Sequence, residues 1–207
     1  MRNISLTEEQ VSEDFVVLNV GKVGLSDEQF FELCNDNPEL SFELTAQKEL
    51  IIMTLPSPKT IRRNTTLSTD LDNWARKNGT GVTFARGALF HLPNGAKRGP
   101  DVSWVRNEVW DALTAGQQEK VAPFCPDFVA GLMPPSDKRP MRFRMLQAKM
   151  NEYMANGAQL GWLIDPFNKT VYVYRPGEPV QTLENPATIS GDPVLPGFVF
   201  NVAVMWQ

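Results

Sequence analysis

The sequence predicts an α/β (α+β) fold in which helices flank a mixed central sheet. Apolar positions recur at helical intervals in three stretches, and strand-like runs separate them in the order helix, strands, helix, strands, helix, strands. Residues 124–133 are almost continuously apolar, which is typical of a central strand that is covered on both faces. With 207 residues, the chain is long enough for one such domain with a full core.

The chain begins with a segment of weak pattern and then becomes regular. Residues 1–24 show no clean period and are expected to form an N-terminal arm, ahead of a single domain over residues 25–207. Ser26 and Gln29 have the spacing of a capping box, which predicts that a short first helix begins there. Two apolar runs between residues 41 and 55 predict an N-terminal hairpin.

The middle of the chain predicts a helix, short strands and then the strand that carries an acid. The helix is expected over residues 59–77 and ends before Gly79. Asn64 falls on its inward stripe, so its amide must find core partners or face a cleft. After two short strands, a further strand begins at Asp101, and residues 106–120 have the pattern of one shallow amphipathic helix.

The last part of the chain predicts a long helix and a pair of strands. A helical stripe rich in methionine runs from Met141 to Met154 and stops at Gly157. Residues 160–165 and 170–174 then have strand character on either side of a turn, so we expect them to pair.

Composition and charge exclude several classes of protein. Twenty Lys and Arg against 24 Asp and Glu give a net charge of -4, which does not suit a dedicated nucleic-acid coat. No apolar run could cross a bilayer and no secretion signal is visible, so no membrane association and a cytoplasmic setting are expected. DNA contact would need local basic clusters. The candidates are Lys59, Arg62, Arg63, Lys97, Arg98, Lys138, Arg139, Arg142 and Arg144.

Several kinds of catalytic site are also excluded by the residues present. Cys34 and Cys125 form neither a disulfide framework nor a metal knuckle, and we expect both to be buried small hydrophobes. His91 is the sole histidine and no serine nucleophile motif accompanies it, which argues against serine hydrolase chemistry. The sequence contains no glycine-rich phosphate loop or dinucleotide fingerprint.

The acid at the start of one strand and the apolar strand that follows it predict a metal-dependent nuclease scaffold. Hydrolysis of a phosphodiester at neutral pH needs a divalent ion, and Mg²⁺ prefers carboxylate oxygens on adjacent strand ends. Asp101 suits the role of first ligand. On the second strand, an acid and a base two positions apart would share one face, but these positions are Gly131 and Met133.

Other side chains could supply the acid and the base that positions 131 and 133 lack. Asp127 lies four residues from Gly131, roughly 13 Å along an extended strand, which is too far for the same ion. Glu49 or Glu43, on the two strands of the early hairpin, could approach Asp101 if that hairpin lies beside the central strands. From the long helix, Gln147 or Lys149 could supply what position 133 lacks, and Lys149 is preferred because Tyr153 lies one turn further along the same side.

The chain resembles the Uma2 family of restriction endonucleases, within the PD-(D/E)XK nuclease superfamily, over residues 29–206. The motifs that carry the resemblance are residues 42–44, 49–53, 92–95, 98–104, 125–129, 135–137, 147–150 with Tyr153, 161–166 and 171–177. The resemblance implies a restriction-endonuclease-like fold, a bound Mg²⁺ or Mn²⁺ ion, DNA as substrate and a homodimer. It implies Asp101 and Glu49 as metal ligands, with Lys149 as a further catalytic residue.

The chain departs from the family pattern at three positions of the second strand. The family has Glu at position 131, often a basic residue at 133, and Ser at 134, where this chain has Gly131, Met133 and Pro134. Two functions therefore remain open. One is a metal-dependent endonuclease with impaired DNA phosphodiester hydrolysis, and the other is a non-catalytic module that binds nucleic acid or protein on the same scaffold.

Overall fold

The computed structural model describes residues 15–133 and 139–207. Its helices are α1 (Asp27–Asp36), α2 (Pro58–Asn78), α3 (Asn107–Trp110), α4 (Ala115–Gln118) and α5 (Arg139–Ala155), and a 3-10 helix (Val202–Trp206) follows near the C-terminus. Its strands are β1 (Phe15–Asn19), β2 (Ser41–Leu44), β3 (Glu49–Met53), β4 (Gly81–Ala85), β5 (Phe90–His91), β6 (Lys97–Arg98), β7 (Val102–Arg106), β8 (Phe128–Leu132), β9 (Leu160–Asp165), β10 (Thr170–Tyr174), β11 (Gln181–Glu184), β12 (Ile189–Ser190) and β13 (Val199–Phe200).

The two main sheets confirm the mixed α+β fold. The larger sheet has the order β11-β10-β9-β8-β7-β4, in which β8 and β9 are parallel and the other neighbours are antiparallel. The smaller sheet has the order β1-β3-β2-β6-β5 and contains the predicted hairpin as β2 and β3. Residues 15–19 of the predicted arm form β1 and pair with β3, whereas residues 1–14 lie outside the described residues.

Local signals in the sequence determine where the first two helices begin and end. The Ser26 side chain accepts a hydrogen bond from the Gln29 backbone amide, and the Gln29 side chain accepts one from the Ser26 backbone amide, so the predicted capping box is confirmed. Ser57 caps α2, and Gly79 ends it in the left-handed conformation with φ 72°. Although α2 has 21 residues, no helix in the described ranges is long and apolar enough to span a membrane.

Two sequence predictions about element lengths were wrong. The expected helix over residues 106–120 is instead the two short helices α3 and α4, because Thr114 caps a new helix with its own capping box. The central strand is shorter than the apolar run: β8 begins at Phe128, after Pro126, which has no amide hydrogen to donate to a neighbouring strand. The long helix α5 agrees with its prediction, and residues 134–138 before it lie outside the described part of the chain.

The larger sheet has a hydrophobic core on each face. Phe128, Ala130 and Leu132 of β8 pack into a core with the inner face of α2, whereas Val129 and Met133 pack into a second core with α5. The prediction of a central strand covered on both faces is therefore confirmed. Since successive residues of a strand face opposite sides, position 131 faces the α5 side of the sheet.

Candidate active site

Asp101 lies immediately before β7, at the edge of the sheet. Its amide donates to the carbonyl of Ala130 at 3.0 Å, and extending the Val102–Ala130 register by one residue places Asp101 opposite Gly131. The Asp101 side chain is 14% exposed. The sheet therefore brings the predicted acid beside position 131, as the spacing in the sequence suggested.

Three protein donors hold the Asp101 carboxylate. Its Oδ2 accepts a hydrogen bond from the Leu132 amide at 2.7 Å. Its Oδ1 accepts from Arg86 Nη1 at 2.7 Å and from Asn64 Nδ2 at 3.1 Å. Asn64 therefore contacts the site from α2. Its amide on the inward stripe of the helix has a polar partner in Asp101. Together, these four residues are named the Asp101 group.

Gly131, opposite Asp101 in the strand register, leaves room for a side chain. It is partly exposed, whereas every other residue of β8 is buried. A Cβ built at Gly131 would meet only the Leu163 Cδ1 atom, at an ordinary contact distance of 3.7 Å. The backbone thus has room for the first atom of a side chain at position 131, where the family resemblance implies an acid.

Met133 is part of the core and not of the site. Its side chain is 5% exposed and belongs to the core that also contains Met150 and Tyr153. A basic side chain at position 133 would therefore place its charge in the core. The following residue, Pro134, lies outside the described residues.

Lys149 approaches the Asp101 group from α5 and is paired with Glu43 of β2. Its Nζ donates to Glu43 Oε1 and, at 2.7 Å, to the carbonyl of Gly99, two residues before Asp101. Glu43 also accepts from the Gly99 amide at 3.2 Å and from Arg98 Nη1 at 3.1 Å. Arg98 Nε in turn contacts Glu152 at 2.5 Å. We call Glu43, Arg98, Lys149 and Glu152 the Glu43 network.

Burial and charge act against each other in the Glu43 network. Burial acts to raise the pKa of Glu43, but the charges of Lys149 and Arg98 hold that pKa below its ordinary value of 4.5. Burial also lowers the pKa of Lys149 below its ordinary value, while Glu43 opposes that shift. Each charge is thus compensated inside the protein, which is the condition for burying it.

Glu49 lies outside this constellation. It is exposed, it pairs with Asn19 at the start of β3, and its amide donates to Thr45 Oγ1 at 3.0 Å. The hairpin brings Glu43 to the cavity instead, since Glu43 lies within a strand between two buried apolar residues and Glu49 lies beside the turn. That placement of an acid within an apolar strand was the available signal for preferring Glu43.

A cavity of about 1150 Å³ joins the two charged groups. Among the described residues, four basic and three acidic side chains line it, together with the N-terminal turn of α2. The basic side chains are Arg86, Lys120, Arg142 and Lys149, and the acidic ones are Glu43, Asp101 and Glu119. Arg86 had not been predicted, because it lies in a turn and no pattern in the sequence points to it.

Most of the predicted basic clusters do not contribute to this cavity. Arg142 lines it, whereas Arg63 is buried and donates to the carbonyl of Gln207 at 3.1 Å. Lys97 is also buried and contacts Asp27 at 2.6 Å. Exposed residues outside the cavity are Lys59, Arg62 and Arg144. Lys138 and the side chain of Arg139 fall outside the described residues.

The other candidate residues have structural partners elsewhere. Asp127 accepts from the Arg106 amide at 3.1 Å and forms an ion pair with its guanidinium, at the opposite end of β7 from Asp101. His91 lies 3.5 Å from Asp27. Cys34 and Cys125 are half-buried, and burial raises the pKa of their thiols to about 11 and about 12, respectively, which leaves them unreactive.

The residues of this site do not fit a divalent cation as they stand. No group of three side chains of the His, Cys, Asp and Glu types converges within the described ranges. Of the three acids that line the cavity, Asp101 and Glu43 already accept hydrogen bonds from cationic side chains, with Arg86 on Asp101 and both Lys149 and Arg98 on Glu43. A divalent ion would have to displace one of these cations, because like charges at contact distance repel.

Comparison with known proteins agrees with this fold. The model of the Uma2 family, described as "Putative restriction endonuclease", matches residues 27–203. The chain is also similar to the crystal structure of a "putative nuclease belonging to DUF820 from Anabaena variabilis ATCC 29413". That likeness has a TM-score of 0.65 and 18% identity, covers 80% of this chain and 89% of the other, and shows a shared fold. No curated protein matches the chain.

Proposed function

Because this chain belongs to the Uma2 family of restriction endonucleases, we propose that it binds DNA in the cavity beside Asp101 but has lost efficient phosphodiester hydrolysis. One observation carries the proposal. The Asp101 carboxylate is held by three protein donors, one of them the guanidinium of Arg86, and it faces Gly131 where the family pattern has a second acid.

The charges of the cavity support DNA as the ligand. The whole chain carries a net charge of -4, yet basic side chains outnumber acidic ones among the described residues of the cavity. Ser57 and Thr60 place the N-terminal turn of α2 at the same surface, and helix N-termini favour phosphate groups. Contacts of this kind bind the DNA backbone without reading its sequence.

The acids of the cavity support the loss of hydrolysis. Nucleases of this type generally depend on a divalent metal, which polarises the phosphoryl oxygen and lowers the pKa of the attacking water. When bound, Mg²⁺ or Mn²⁺ would supply that chemistry, and it needs carboxylate oxygens that no other cation occupies. Asp101 is already paired with Arg86, and Gly131 offers no side chain.

A plasmid assay with a parallel binding measurement tests this proposal. Purified protein is incubated with supercoiled plasmid and either Mg²⁺ or Mn²⁺, and binding of a labelled duplex is followed by fluorescence anisotropy. We expect a bound duplex and no more nicking than Asp101→Ala produces. Efficient nicking that disappears in Asp101→Ala would overturn the proposed loss of hydrolysis, and the absence of duplex binding would overturn the assignment of DNA.

A residual nuclease activity is the second candidate, and Lys149 favours it. Lys149 and Asp101 line the same cavity, so the acid and the cation that the family resemblance implies are both present. Gly131→Glu is the variant that separates the two candidates. A scaffold that has lost hydrolysis should gain Mn²⁺-dependent nicking when this change is combined with Arg86→Ala, which frees Asp101, whereas a weak natural nuclease would show nicking without either change.

The family resemblance also leads us to propose a homodimer. Restriction-type folds commonly act as dimers. Light scattering coupled to size-exclusion chromatography measures the mass directly. A mass of about twice 23.2 kDa supports the dimer, and a mass equal to one chain at micromolar concentration would contradict it.

A further inference from the structure

Arg86 occupies the position at Asp101 where a cation is expected. It follows the last residue of β4, and its Nη1 atom lies 2.7 Å from Asp101 Oδ1. Its side chain is 32% exposed and lines the cavity. The other oxygen of the carboxylate accepts from the Leu132 amide, so the carboxylate is neutralised without any added ion.

The guanidinium has donors to offer beyond Asp101. An arginine carries five N–H groups in a planar fork, and the contact with Asp101 uses Nη1 alone. The carboxylate fixes the direction of the fork, which lowers the entropy lost when a ligand binds. A planar fork directed into a cavity matches the two oxygens of a phosphate group.

The glycine at position 131, like Arg86, favours the binding of an anion over a cation. A carboxylate there would lie beside Asp101 and, without a metal ion, would repel a phosphate group. Its absence removes that repulsion, while Arg86 supplies positive charge. The two features together convert a pair of acids that would bind a cation into a surface that attracts an anion.

We propose that Arg86 takes the place of a metal ion at Asp101 and contacts a phosphate of the DNA backbone directly, so that binding requires no divalent cation. This inference rests on the proposed function, since it names the residue that binds DNA in the same cavity. It predicts that affinity for duplex DNA is the same in EDTA as in Mg²⁺ and depends on Arg86.

The first test is fluorescence anisotropy of a labelled duplex in EDTA and in Mg²⁺. The matched control is Arg76→Ala, because Arg76 forms a comparable ion pair with Asp72 at 2.6 Å on α2 but lies outside the cavity. We expect about tenfold weaker binding for Arg86→Ala, the size typical of a charge-assisted contact, and no change for Arg76→Ala. The slope of log affinity against log salt should fall by about one in Arg86→Ala.

The outcomes separate this inference from the proposed function. Equal affinities of Arg86→Ala and Arg76→Ala in EDTA would show that DNA binds without Arg86, which overturns the inference and keeps the function. DNA binding that appears only with Mg²⁺ would also overturn the inference, because a metal ion would then contact the phosphate. No duplex binding under any condition would instead remove the proposed function.

Arg86→Lys checks the result if Arg86→Ala proves unstable by circular dichroism. It keeps the positive charge and loses the planar fork, so a several-fold loss of affinity supports contact through the guanidinium. Wild-type affinity in Arg86→Lys would contradict that geometry.

Calorimetry with Mn²⁺ gives a readout that involves neither DNA nor activity. We expect no binding by the natural chain at millimolar Mn²⁺. The double variant Arg86→Ala with Gly131→Glu removes the competing cation and introduces an acid, so we expect it to bind Mn²⁺ measurably at concentrations where the natural chain does not. Equal affinities, or tight Mn²⁺ binding by the natural chain, would show that Arg86 does not occupy the place of the metal.

Discussion

The Glu43 network, through Glu43 and Lys149, and the Asp101 group reach one cavity but differ in how completely the protein encloses them. Glu43 is 3% exposed, and two cations from β6 and α5 meet its carboxylate. Asp101 is met by Arg86, which is one-third exposed, and faces the empty position of Gly131. The first group therefore connects parts of the fold, whereas the second is open to a ligand.

This difference shows which part of the candidate site can change without loss of the fold. The Glu43 network joins β2, β6 and α5, so removal of one member leaves a buried charge without a partner. Position 131 has room for a side chain, and a glycine there leaves the pairing of β8 with β7 and β9 intact. The fold therefore tolerates a glycine at this position, whereas it depends on the members of the Glu43 network.

The largest expected effect is the loss of stability when the Glu43 network is broken. Glu43→Gln removes the charge that compensates Lys149 and Arg98, and should lower the free energy of unfolding by about 3–5 kcal/mol. Urea unfolding followed by tryptophan fluorescence measures it. A loss below that of Asp101→Asn would contradict the contrast between the two groups.

The second prediction tests whether Met133 belongs to the core or to the site. Met133→Arg should destabilise the protein by about 3 kcal/mol, because it places a charge among apolar side chains. Met133→Leu is the control and should cost less than about 1.5 kcal/mol. Equal unfolding midpoints for both variants would mean that the arginine reaches the cavity, and position 133 would then join the Asp101 group.

Asp101→Asn should have a smaller effect on stability. Its side-chain amide would place a nitrogen near either the Leu132 amide or Arg86, so one donor would lose its acceptor, at a cost of about 1–2 kcal/mol. Because Arg86 is partly exposed, water can accept a hydrogen bond from it and limit the cost. Thermal unfolding by circular dichroism, with Glu43→Gln measured in parallel, decides whether Asp101 is the less structural of the two acids.

The smallest expected effect is a difference in how the free energy of unfolding depends on pH. The pKa of Glu43 is lower in the folded protein than its ordinary value of 4.5, so the ionised form stabilises the fold above that pH. That stabilisation is lost as the pH falls through the folded-state pKa. Urea unfolding between pH 7 and pH 3 should therefore show a smaller decline for Glu43→Gln than for the natural chain, and parallel declines would contradict this role.

Helix positions and the central strand were predictable because their signals are local. The capping box at Ser26, the left-handed Gly79 and the methionine stripe of α5 all involve residues within a few turns of one another. The shallow pattern over residues 106–120 was misleading because a second cap at Thr114 outweighed a weak apolar face. Element lengths thus depended on caps and prolines more than on hydrophobic periodicity.

The sequence by itself determined the mixed α+β fold, the family, and the meeting of Asp101 with a glycine at position 131, since strand register follows from alternation and spacing. Only the tertiary structure decided that Glu43 and not Glu49 reaches Lys149, and that Arg86 covers Asp101. Lys149 and Glu43 are 106 residues apart in the chain. Such contacts depend on how sheets and helices pack, because a charged side chain has no local pattern that identifies its partner.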